Sequence, residues 1–104
     1  MIEVNRKTKE TNIKCKLDIN GYGKSDIKTG VGFFDHMLEA LSKHSGIDIE
    51  LFCEGDLHID AHHTVEDCGI VLGQALKKGI FPIQAVERYG NATVVMDEAA
   101  TTCA

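Results

Sequence analysis

No Cys-x-x-Cys pair, no cluster of Lys and Arg, and no apolar run near the ~20 residues of a membrane span occurs in this sequence of 104 residues. Each absence removes a class of function. The four cysteines, at positions 15, 53, 68 and 103, are too scattered for a dense disulfide framework. Together with a charged N-terminus that has no apolar signal region, they imply reduced thiols and a cytoplasmic location. A net charge of −5 without a basic patch argues against a nucleic-acid partner, and the lack of a long apolar segment argues against a membrane one. Phosphate-loop chemistry fails as well. A Walker pattern ending at Gly23-Lys24-Ser25 would need glycine where Asp18 stands, and a dinucleotide fingerprint from Gly21 would need it at Asp26.

What remains is a chain of 43% hydrophobic and 26% charged residues, read as one globular domain over 1–104. Its most informative stretch is Asp60-Ala61-His62-His63-Thr64-Val65-Glu66-Asp67. On a helix, His62 and Glu66 are four positions apart and His63 and Glu66 three, so both pairs share a face. Imidazole nitrogens with a carboxylate oxygen suit a borderline divalent ion such as Mn, Fe, Co, Ni or Zn. A blander assignment makes the histidines exposed first-turn residues, with Glu66 and Asp67 complementing the helix dipole. Three further histidines, at 36, 44 and 58, tip the balance toward metal in so short a chain.

The alternation of Ile13, Cys15, Leu17 and Ile19 with Lys14, Lys16 and Asp18 predicts a strand over 12–19. It is paired with one over 2–10 through a short turn at Glu10-Thr11-Asn12, which places Glu10 at a strand end. Residues 20–32 are glycine-rich and read as a mobile connection. A helix runs from Val31 or Gly32 to Ser45, with Phe34, Leu38 and Leu41 as its apolar stripe and Gly46 as its stop. His36, Lys43 and His44 share a side of it, which could border an anionic substrate or simply be solvated. A third strand is expected over 47–54, with 56–60 as a fourth or a continuation. The second helix is capped either by Asp60 or by Thr64 with Asp67. Gly69 and Gly73 continue the His62–Glu66 stripe, and mid-helix glycine implies close approach of another body, such as a second subunit. After a Phe81-Pro82 break, another strand runs through 91–96. The fold class expected is α+β: about four strands in a mixed sheet with two helices on one face. A faint repeat is also present, since Glu10 and Cys15 have the spacing of Glu98 and Cys103. It divides the chain into a first repeat of about 1–87 and the opening of a second over about 88–104.

Taken in order, Arg6-x-Thr8-x-Glu10-Thr11, Gly32-Phe33-Phe34-Asp35-His36-Met37-Leu38, Gly55-Asp56-Leu57, the His62-His63-x-x-Glu66 segment through Gly73, Arg88-Tyr89-Gly90 and Met96-Asp97-Glu98-Ala99 resemble imidazoleglycerol-phosphate dehydratases of histidine biosynthesis. The resemblance implies a half-unit of the ribosomal protein S5 domain 2-like type. It also implies assembly into 24-subunit shells with manganese between subunits. It would make His36, His62, His63 and Glu66 metal ligands. His36, Lys43, His44 and Arg88 would contact a phosphorylated imidazole substrate together with Glu10, His62, His63 and Glu66, and Glu10, His62 and Glu66 would be catalytic. The family's second His-His-x-x-Glu motif does not occur in these 104 residues. Two alternatives follow: a half-length unit that assembles and binds metal with little activity, and a metallohydrolase built from the same ligand types.

Overall fold

The computed structural model describes residues 1–83 and 85–104. Six strands and two helices follow in the order β1 (Ile2–Lys7), β2 (Thr11–Asp18), β3 (Ser25–Lys28), α1 (Gly32–Ser45), β4 (Asp48–Gly55), α2 (His62–Ile80), β5 (Ala92–Met96) and β6 (Ala99–Cys103). The first four strands form one sheet in the order β1-β2-β4-β3, antiparallel except for the β3–β4 pair, so the expected mixed α+β sheet is present.

Strand alternation explains why both helices lie on one side. Val4, Cys15, Leu51 and Ile27 lie abreast across the four strands, and Ile13 faces Cys53 as Leu17 faces Ile49. All of these are buried. Their neighbours Lys14, Lys16, Glu50, Phe52 and Glu54 point to the other, exposed face. Helix α2 covers β1, β2 and β4 with Cys68, Val71, Leu72 and Ala75, while α1 covers β3 and β4 with Leu38.

Several boundaries differ from the expectations. The first hairpin turns at Lys9-Glu10, because the Thr8 hydroxyl accepts the backbone N–H groups of Glu10 (3.2 Å) and Thr11 (3.1 Å) and ends β1 at Lys7. Glu10 is therefore a turn residue and Thr11 opens β2. The 20–32 connection contains β3, recruited by parallel pairing to β4 and recognisable only by Ile27. The Asp48 carboxylate organises the connection by accepting the backbone N–H groups of Tyr22 (2.9 Å) and Lys24 (2.8 Å). Those N–H bonds, Lys24's foremost, hold the Asp48 carboxyl below its ordinary pKa.

Residues 56–60 are not a strand. The Ile59 N–H donates to the Asp56 carbonyl (2.9 Å) in a tight turn, and Leu57 and Ile59 remain exposed. In α1 the core position expected for Leu41 belongs to Ser42, whose buried hydroxyl lies between the carbonyls of Lys24 (3.1 Å) and Ile47 (2.7 Å). Leu41 turns outward with Phe33 and Met37. Gly46 does stop α1, in the left-handed conformation (φ 77°), with its N–H on the Ser42 carbonyl.

Hairpin β5–β6 forms a separate two-stranded sheet in which every residue is exposed. Its register matches that of the first hairpin. Cys15 pairs with Val4 and Lys14 with Asn5, just as Cys103 pairs with Ala92 and Thr102 with Thr93.

The tie that sets α2 on the sheet is polar. Asp67, on the buried side of the helix, accepts a 2.6 Å hydrogen bond from the Thr11 hydroxyl, and Arg6 stands 3.9 Å from its other oxygen. Next to it the chain comes close, because a Cβ at Gly55 would overlap the Thr64 hydroxyl. Removing the hydroxyl with Thr11→Val leaves a buried carboxylate without its main donor. It is expected to cost about 1.5–3 kcal/mol in urea-unfolding stability, with little change in far-UV helix content.

Candidate metal-binding site

The start of α2 carries the predicted motif. The chain enters the helix through Ala61 in an αR conformation, with no side-chain cap on that residue. Asp60, one position earlier, accepts the His62 backbone N–H at 2.8 Å. The Asp60 alternative thus comes close to what is observed. The Thr64 alternative does not, because Thr64 is fully buried inside the helix. Both histidines are first-turn residues, with ring centroids 4.0 Å apart and planes tilted by 44°.

Each imidazole has a carboxylate on the same nitrogen. His62 Nδ1 lies 2.7 Å from Asp60 Oδ1, and His63 Nδ1 lies 2.7 Å from Asp56 Oδ2. Among the described residues no hydrogen bond engages either Nε2. The two pairs differ in setting. The His62–Asp60 side chains are about 60% exposed, whereas those of His63 and Asp56 are 32% and 15% exposed. The hydrogen bond to Asp56 raises the His63 pKa, and the charges of Asp56, Glu10 and Asp60 add to the effect. The Asp60 carboxyl is lowered, first by the His62 backbone N–H and then by its ring.

Asp56 and Asp60 were not anticipated as partners of the histidines. Asp60 had a signal, an Asx residue two positions before a helical N–H. Asp56 had none, because seven residues and a turn separate it from His63.

The remaining candidates are spread over the surface above the sheet. Helical geometry places Glu66, Gly69 and Gly73 with His62 on the side of α2 opposite Thr64, Asp67, Val71 and Ala75. By the same geometry, His36 and Lys43 lie opposite Leu38 on α1, with His44 beside them, all exposed. Glu10 lies close to His63: its backbone carbonyl accepts the Asp56 N–H (3.0 Å) and its charge acts on the ring. Arg88 is exposed in the irregular segment before β5.

Among the described residues, no three His, Cys, Asp or Glu side chains come close enough together to hold a metal ion. His36, His62, His63 and Glu66 therefore offer donors of the right chemistry for a borderline divalent ion, but one chain does not gather them into a complete coordination shell. The cysteines take no part in this surface: Cys15, Cys53 and Cys68 are buried and Cys103 lies on β6. Burial pushes the Cys15 thiol up to about 11, which keeps it protonated and inert.

Known proteins resemble this arrangement over the whole chain. The family profile described as Imidazoleglycerol-phosphate dehydratase matches residues 29–104. The imidazoleglycerol-phosphate dehydratase of Aliarcobacter butzleri is 86% identical over all 104 residues, which cover 55% of that protein. The one from Nautilia profundicola is 65% identical over 96% of this chain and 53% of its own length. Among solved structures, the Staphylococcus aureus enzyme superposes with a TM-score of 0.72 at 35% identity, over 97% of this chain and 54% of that one. The Pyrococcus furiosus structure gives 0.74 at 36%, over 95% and 51%. The chain spans about half the length of the curated relatives it matches. With the profile covering most of its residues and two solved folds superposing on it, this chain belongs to the imidazoleglycerol-phosphate dehydratase family.

Proposed function

We propose that the chain supplies one half of a metal-dependent hydro-lyase that converts imidazole glycerol phosphate to imidazole acetol phosphate in histidine biosynthesis. The observation that carries this reading is the His62–His63 pair, each ring held through Nδ1 and with Nε2 unengaged among the described residues, in a chain of this family.

In the reaction the hydroxyl on the carbon attached to the imidazole ring leaves and takes up a proton to become water, the proton on the next carbon is removed, and the resulting enol tautomerises to the ketone. When bound, a manganese or similar ion held by His36, His62, His63 and Glu66 would supply Lewis-acid stabilisation at the substrate's ring nitrogen. Glu10 would move a proton as general acid or base, a role supported by its turn's hydrogen bond to Asp56 and its charge acting on His63. Lys43, His44 and Arg88 supply exposed groups that can meet the substrate phosphate. No redox cofactor is needed, because dehydration exchanges no electrons with the protein.

A second reading rests on the incomplete coordination shell: a half-length unit that assembles and binds metal but turns over little substrate. The boundary belongs with it. Residues 1–87 form the first repeat and 88–104 open a second, a division supported by the equal registers of the two hairpins, offset by 88 residues. Completing the shell then takes equivalent ligands from another copy, in closed symmetric assembly of the kind the family's shells would represent, in the cytoplasm.

Turnover of imidazole glycerol phosphate measured beside light scattering tests both readings. The expected outcome is an oligomer strengthened by manganese and weakened by chelator, because a ligand that binds only the assembled state stabilises it. Dehydration in the assembled state supports the enzyme reading, and assembly without turnover supports the binding reading. A monomer that holds manganese tightly would refute the shared site.

Glu66→Gln keeps the side chain's shape and removes its charge, so manganese content per chain after dialysis should fall; unchanged content would take Glu66 out of the ligand set. The glycines give a third test. A Cβ at Gly69 or Gly73 meets nothing within 4 Å. Gly73→Ala should therefore stabilise the dissociated chain by about 1 kcal/mol while weakening its assembly. Stronger assembly in that variant would show that nothing approaches the stripe.

A further inference from the structure

The Asp56 carboxylate is placed at a cost that the fold alone does not explain. Its Oδ1 is buried without a hydrogen-bond donor among the described residues, and its side chain is 15% exposed. Among the described residues its side chain makes one hydrogen bond, the 2.7 Å one between Oδ2 and His63 Nδ1. A carboxylate is kept in such surroundings at a net loss unless the group it holds is worth holding.

The location adds a second observation. Asp56 follows Gly55 at the end of β4, and its backbone N–H is bound by the Glu10 carbonyl (3.0 Å). This residue thus joins the turn bearing Glu10 to the ring of His63, from a position anchored by strand pairing. The exposed Asp60, at the mouth of α2, holds His62 without comparable anchoring. An ionised carboxylate can only accept a hydrogen bond, so Asp56 holds the neutral ring in the tautomer with hydrogen on Nδ1 and the lone pair on Nε2. That is the form a divalent ion requires, and carboxylates in this position raise ligand basicity and fix ring orientation.

We infer that Asp56 is the positioning residue that fixes the tautomer and direction of His63 and aims its Nε2 away from the turn as a metal donor. This rests on the metal-binding reading of His63 given above. The hold on the ring is independent of any metal.

The test therefore has two readouts. Long-range 1H–15N NMR on the metal-free chain, in alkaline buffer where the imidazole is neutral, should place the His63 proton on Nδ1, with His63→Gln identifying the resonances. In Asp56→Ala the ring should shift toward the Nε2–H tautomer, and Asp56→Asn, which keeps one acceptor oxygen, should fall between. Manganese affinity, followed by the electron paramagnetic resonance signal of the free ion, should drop about 10–100-fold in Asp56→Ala and less in Asp56→Asn.

An Nε2–H tautomer in the unsubstituted chain would overturn the proposal, and so would an Nδ1–H tautomer that persists in Asp56→Ala. If Asp56→Ala does not fold, the tautomer of the unsubstituted chain and the Asp56→Asn variant decide the matter. If His63→Gln leaves manganese affinity unchanged while the tautomers behave as expected, the metal reading of His63 has failed and the Asp56 clamp stands.

Discussion

The rotation of α2 about its own axis is the constraint on which both the core and the site depend. Thr64, Asp67, Cys68, Val71, Leu72 and Ala75 are buried at spacings of three and four, so they define one stripe against the sheet. Apolar burial alone would tolerate a range of helix rotations, since hydrophobic contact is non-directional. The hydrogen bond from Thr11 to Asp67 narrows that range, because it is satisfied at only one setting. Once that setting is fixed, His62, Glu66, Gly69 and Gly73 must face away from the sheet. The site's geometry is thus decided by a residue on its opposite side.

Both helices share a further property. Each is apolar toward the sheet and also carries large exposed side chains elsewhere: Phe33 (63% exposed), Met37 and Leu41 on α1, Val65 and Ile70 on α2. A helix that only covered a sheet would be polar on the rest of its surface. Here the outward surface carries histidines, a carboxylate, two uncrowded glycines and apolar side chains, a composition closer to an interface than to a solvated face.

Much of this was legible in the sequence, and what was not has physical causes. Strand β2, most of β4, and both helices are long enough for their periodicity to be unambiguous, and Gly46 closes α1 as its conformational freedom suggests. Strand β3 was missed because it is four residues long, has one buried side chain, and exists through pairing with β4. Residues 56–60 misled in the opposite sense. Leu57 and Ile59 alternate like a strand, but the tight turn onto the Asp56 carbonyl leaves no ladder for them to join. Leu41 was assigned to the core on hydrophobicity, whereas the position beside it needed a hydroxyl to bridge two carbonyls. Within the site, the histidine pair was evident from its spacing. The carboxylates behind it depend on how the 56–61 turn folds back, which no local pattern encodes.

The turn between β4 and α2 also decides how the two histidines are linked to the rest of the chain. Asp56 is held by the Glu10 carbonyl and in turn holds His63, while Asp60 holds both the backbone and the ring of His62. These contacts tie the turn that carries Glu10 to the short segment that carries the two imidazoles. His36, by contrast, is mounted on α1, which packs on the same face of the sheet but over β3 and β4. Within one chain, His36 does not join His62 and His63 in a set of donors. If the proposed ligand set holds, a two-histidine unit on one helix, with the other candidate donors on surfaces that face away from the core, could be completed by packing another body onto those surfaces and leaving the unit itself unchanged. Ion binding and assembly would then draw on the same contacts, which makes each a condition for the other.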